Sequence, residues 1–192
     1  YDDHRTLLNI LFEAKRLGEL TETPNLIYFN LHDDACELLP KSQLLALMGV
    51  KDLSEATSKQ FWSFVEFDLG VLDDDWLFVG MELDLIKDAI LIGQEENHHI
   101  QDMGGRYVSE DEIEHELYSI SHLKYSLNNR GCLGDSIIKE PYFQNVRDIM
   151  QYHNRRFDEG DIKPFVLDFD LDCFTTECRE KTYAWPEKIF ID

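Results

Sequence analysis

The sequence predicts an α/β fold: a three-layer α/β/α domain on a mostly parallel sheet, with residues 1–192 forming a single domain. Three observations carry this. Short, uninterrupted apolar runs recur at 25–30, 88–93 and 164–169, which is how strands buried on both faces read. Segments with helical spacing alternate with them, as in a sheet covered by helices. Two of the runs lead straight into acidic residues, and in such sheets ligands bind beyond the carboxyl ends of the strands.

The elements follow in order. Leu7, Leu8, Ile10, Leu11, Ala14 and Leu17 fall at helix spacing over 5–17, with Asp2 or Asp3 as N-cap, His4 in the first turn and Gly18 as the stop. NLIYFN (25–30) reads as a buried strand. LLPKSQLLALMG (38–49) has a helical pattern interrupted near Pro40, and Ser54 caps a short helix. FWSFVEF (61–67) and WLFVGMEL (76–83) are dense apolar segments around a turn at VLDDD (71–75); Gly70 and Gly80 leave their type undecided. DAILIG (88–93) is a strand and QEENHHIQDMGG (94–105) a loop. The polar stretch 108–130, with His115 and His122, reads equally as a strand or a short helix. In 143–157, Phe143, Val146, Ile149, Met150, His153 and Phe157 share one side, and Gly160-Asp161 leads into the strand 164–169.

The net charge of -21, from 39 acidic and 18 basic residues, argues against nucleic acid or an anionic membrane as partner and suits a cationic one. The 43% apolar and 12% aromatic content is that of a folded domain, not a disordered acidic chain. Cys36, Cys132, Cys173 and Cys178 form no CxxC pair, and a chain with a core of this size needs no staples, so they read as reduced thiols of a cytoplasmic protein. No run approaches the length of a membrane-spanning helix. The chain opens YDDHR, without a methionine or a signal-peptide pattern. Oligomeric state stays open.

Function is concentrated in FVLDFDLDCF (165–174). Asp168, Asp170 and Asp172 alternate, so they share a strand face. Like charges there repel and lose hydration unless a cation sits among them. A divalent metal is the simplest such cation, held by Asp168 and Asp170, with Asp172 as a ligand or an outer partner. NLIYFNLHDDAC (25–36) has the same layout, with Asn30, His32 and Asp34 in alternation. Mixed imidazole and carboxylate donors suit Mn²⁺, Fe²⁺ or Zn²⁺ better than Ca²⁺. Asp33 points away, to solvent or to an outer contact. His98 and His99 read as surface residues or, in one case, a proton shuttle. No G-x-S-x-G elbow, nucleotide fingerprint or zinc-ribbon pattern is present.

Asp3-His4, NLIYFNLHDDA, DDDWLFVGMELDLIKDAILIG (73–93) and FVLDFDLDCF together resemble a largely uncharacterised family related to the arginases, which includes enzymes converting peptidyl arginine to ornithine. The resemblance touches about half the chain, in the order histidine, D-x-H-x-D, D-x-D. It implies an arginase-like three-layer fold with a one- or two-ion manganese site. His4 and Asp34 would serve one Mn²⁺, His32 and Asp170 the other, and Asp168 both. Asn30 stands where the family has a bridging aspartate, and an amide offers one neutral oxygen in place of an anion. That leaves three outcomes: one ion, two held weakly, or a scaffold without catalysis. Glu187 is the one late acid that could contact substrate, and the sequence reads as a short or partial member. The expected activity is metal-dependent hydrolysis of a non-peptide C–N bond in a guanidino or amidine group, on a cationic small molecule or an arginine-containing peptide. The alternative is a catalytically impaired metal-binding or interaction protein on the same scaffold.

Overall fold

The computed structural model describes residues 4–30, 35, 39–69, 75–94, 105–121, 164–169, 175–178 and 181–184. Helix α1 (Thr6–Arg16) buries Leu7, Leu8, Leu11 and Phe12, the stripe its spacing predicts. Lys15 and Arg16 lie in its last turn, where cations complement the carbonyl end, and Gly18 at φ +75° turns the chain out. His4 falls in the turn before the helix, not in its first turn, and Arg5 is the N-cap, without a side-chain capping bond to the helix. Asp2 and Asp3 lie outside the described residues.

Strand β1 (Asn25–Phe29) follows. Pro40 then opens helix α2 (Lys41–Met48), and Gly49, in the left-handed region, closes it. The next turn, Leu53–Glu55, is 3₁₀ and capped by Asp52, whose side chain accepts from the Ser54 N–H; Ser54, expected as the cap, is inside it. The two undecided apolar segments are both helical. Helix α3 (Ser58–Phe67) starts at a capping box between Thr57 and Gln60, a signal in the sequence that outweighs its aromatic content. Helix α4 (Trp76–Glu82) is buried along its whole length. Gly80 leaves no room for a side chain: a Cβ there would lie 2.5 Å from Ile86 Cδ1 and 3.1 Å from Leu8 Cδ2.

Strands β2 (Ala89–Gln94), β3 (Arg106–Val108), β4 (Glu114–Ser121) and β5 (Phe165–Phe169) complete a five-stranded sheet of order β3-β4-β2-β1-β5. β1 runs parallel to β2 and β5, and β2 parallel to β4; only β3 is antiparallel. The stretch left open as strand or helix is thus the β3–β4 hairpin and its second strand. Residues 122–130 of it lie outside the described residues. A separate antiparallel pair, β6 (Thr175–Cys178) and β7 (Lys181–Ala184), was not anticipated.

The arrangement is that of a three-layer α/β/α fold with a mostly parallel, mixed sheet. Buried side chains of all four helices join one core with Leu26, Tyr28, Ala89, Leu91 and Leu117. Pairing of Leu26 with Ala89, Tyr28 with Leu91, and Ala89 with Leu117 places those five on a single sheet face. The described helices therefore cover that face. Among the described residues, no helix is long and apolar enough to cross a membrane.

Candidate metal centre

Strand β5 inverts the usual pattern of a half-covered strand. Phe165, Leu167 and Phe169 are 50–59% exposed, whereas Asp168 is 4% exposed. Its register partner is Tyr28, so its carboxylate is on the helix-covered face. Burying a carboxylate there costs several kcal/mol unless donors or a cation compensate, so a buried acid amid exposed phenylalanines points to a task other than packing.

One compensating group is His4. Its Nδ1 is 2.7 Å from Asp168 Oδ2, although the residues are 164 positions apart in the chain. With the proton on Nδ1, the ring donates to the carboxylate. His4 is 17% exposed, so the pair lies at the margin of the core. The turn before α1 delivers the histidine, and the carboxyl end of β5 delivers the aspartate. Asn30, one residue past the end of β1, is 2% exposed. Since β1 and β5 run parallel, Asn30 and Asp168 emerge toward the same sheet edge.

Aromatic side chains wall the pair. The Trp76 indole lies nearly parallel to the His4 ring, with centroids 6.2 Å apart and planes 17° apart. Tyr28 meets the same indole edge-on at 5.7 Å and 74°. Both Trp76 and Tyr28 are fully buried. Neither was singled out in the sequence. The one signal was position: Trp76 directly follows the acidic run 73–75, and Tyr28 sits inside the strand that ends at Asn30.

Of the residues expected to form the site, the structure brings His4 and Asp168 together and buries Asn30 at the edge toward which both strands run. His32, Asp33, Asp34, Asp170, Asp172, His98, His99 and Glu187 lie outside the described residues. Among the described residues no group of three or more His, Cys, Asp or Glu side chains is placed to hold a metal. The pair itself suits one. Two donors sharing an ion at about 2.1 Å and near right angles stand about 3 Å apart, close to the observed separation. Imidazole with carboxylate is also a donor set for Mn²⁺, Fe²⁺ or Zn²⁺. His4 and Asp168 would hold such an ion.

Fold and site together define a class: an α/β protein with a buried imidazole–carboxylate pair at the carboxyl edge of a mostly parallel sheet. Beyond the class no family can be given, because no family model, curated protein or solved structure matches the chain.

Proposed function

We propose that this protein is an arginase-like, divalent-metal-dependent hydrolase of non-peptide C–N bonds, with Mn²⁺ as the ion. The observation that carries the reading is the junction of His4 with buried Asp168. It joins the first and last motifs of an order found in arginase-related enzymes. When bound, the ion lowers the pKa of water and polarises the carbon under attack.

The chain's own residues do the rest. Asp168 supplies a buried charge that hydrogen-bond donors or a cation must compensate. His4 orients toward it. His32, Asp34 and Asp170 complete the ligand set, with Asp33 and Asp172 behind them. His98 or His99 hands a proton to the leaving amine, and Glu187 contacts substrate. Hydrolysis of a guanidinium in an arginine-containing peptide would yield ornithine and urea. A net charge of -21 favours the approach of such cationic substrates, in the cytoplasm or wherever the protein acts.

Asn30 favours a second reading. An amide buried to 2% exposure, where a bridging carboxylate would serve two ions, fits a one-ion or non-catalytic metal protein. Elemental analysis of protein purified without chelator, combined with a urea-release assay on arginine-containing peptides, separates the two. The hydrolase reading expects bound manganese, urea release, and loss of both in Asp168→Asn. Bound metal without urea from any guanidino substrate selects the second reading. Full metal content in Asp168→Asn refutes the site.

A further inference from the structure

We propose that the groove at the last turn of α1 binds a small organic oxyanion: a carboxylate or phosphate monoester on an apolar body. The proposal stands apart from the metal reading. His4 precedes the first turn of α1, whereas Lys15 and Arg16 lie in its last. The groove is therefore about one helix length, roughly 16 Å, from the histidine.

The groove encloses about 430 Å³, within the range of small-molecule sites. Phe12, Ala56 and Leu83, all buried, form the apolar part of its lining. Its charge is the reverse of the chain's. Among the described residues, three basic side chains line it, Lys15, Arg16 and Lys41, against two acidic ones, Asp52 and Asp84. The whole chain has 18 basic residues against 39 acidic. A cation-rich cavity is thus a local exception, assembled from α1 and α2. An anion is attracted there and repelled by most of the remaining surface.

The two acids already have structural work. Asp52 accepts from the Ser54 N–H at 2.8 Å and so caps the 3₁₀ turn. Asp84 accepts from the Thr23 hydroxyl at 2.8 Å and from Lys15 Nζ at 2.6 Å. Arg16 Nε and Nη2 donate to Glu13 Oε2 at 3.0 and 2.7 Å, and Lys41 pairs with Asp111. The three paired cations are 24–45% exposed. Ion pairs this open to water contribute little to stability, so a ligand can share or displace them at small cost. Donors also remain. An arginine has five N–H donors and a lysine three, of which Arg16 spends two and Lys41 one among the described residues. Charge-assisted bonds to the oxyanion, together with an apolar body against Phe12 and Leu83, give an affinity that neither part gives alone.

Backbone-amide NMR of the full chain tests this by titration with phenyl phosphate, benzoate, inorganic phosphate and phenol. Phenyl phosphate, benzoate or both should shift the amides of Phe12, Leu53, Ala56 and Leu83, and bind at least about tenfold more tightly than inorganic phosphate or phenol. The tighter of the two names the oxyanion. Arg16→Gln should weaken that binding about tenfold, as for the loss of charged hydrogen bonds. Asp111→Asn, which frees Lys41, should tighten it about two- to fivefold, an effect that a merely structural aspartate would not have. Arg16 and Asp111 are exposed, so neither substitution threatens the fold. Phenol binding as tightly as phenyl phosphate and benzoate overturns the proposal. So do shifts confined to amides elsewhere, affinity indifferent to both substitutions, or no shift with any of the four probes at millimolar concentration. No metal enters the titration, so its outcome and that of the hydrolase reading are read separately.

Discussion

His115 sits at 1% exposure on β4, its ring stacked at 5.8 Å on Tyr107. Its Nδ1–H donates to the Lys87 carbonyl, and among the described residues its Nε2 has no hydrogen-bond partner. Burial, more than any neighbouring charge, pushes its pKa below the ordinary histidine value. The folded protein holds it neutral, whereas the unfolded chain takes up a proton below about pH 6.5. In that range the unfolded state binds more protons, so stability falls with pH, starting at the unfolded value and continuing down to the lowered folded one. Urea midpoints measured from pH 7.5 to 5.5 should therefore fall, and His115→Phe should flatten that slope; parallel slopes in the two proteins would refute the assignment. The sequence showed this histidine but not its burial, because the stretch around it reads equally as strand or helix. Asp168 was legible, because a carboxylate after three apolar strand residues has few packing explanations. Trp76 was not, because an indole in a dense apolar run reads as core.

Helix α2 shows what elements hide from their own sequence. The sequence shows a helical pattern interrupted near Pro40, whereas the helix begins only after that proline; a proline cannot cap with a side chain, and two carboxylates from elsewhere do so instead. Glu82 accepts from the Lys41 N–H at 3.2 Å, and Glu110 from the Ser42 N–H at 2.6 Å. These acids come from 41 and 68 residues away, beyond any window of local pattern. Negative charge there also complements the helix dipole. Glu82, 3% exposed, further accepts from the Glu110 N–H and the Tyr107 hydroxyl. Burial, then Glu82 itself, pushes the Tyr107 pKa up, so the phenol stays protonated and keeps donating. One side chain thus ties α4, α2 and the β3–β4 hairpin together. Glu82→Ala would leave three donors to find other partners, at about 1–3 kcal/mol each where they stay buried. We expect a loss of at least about 3 kcal/mol by urea denaturation. Removing the local cap in Thr57→Ala should cost only about 1 kcal/mol. Equal losses would mean that Glu82 is no junction. α3 was within reach of the sequence because its capping box, Thr57 with Gln60, lies entirely within its own first turn.

At the scale of the molecule, the sheet is covered on one face by the described helices and bears on the other Phe165, Leu167 and Phe169, each at least half exposed among the described residues. Phe29 joins them through a 4.5 Å stack on Phe169. Parallel sheets are almost always covered on both faces. The connection from β1 to β2 carries α2, α3 and α4 and moves toward β4 in the strand order. Crossovers between parallel strands are right-handed in nearly all proteins, and these three helices accordingly lie on one face of the sheet. A cover is therefore expected over the face that Leu167 occupies. A covered Leu167 behaves as core and an uncovered one as surface. We expect Leu167→Lys to lose about 2 kcal/mol or more in urea denaturation, as for an apolar side chain withdrawn from water. Leu47→Lys, at a comparably exposed position on α2, should stay within about 0.5 kcal/mol. If both substitutions prove equally mild, the outer face of β5 meets solvent, and this sheet departs from the rule of two covered faces.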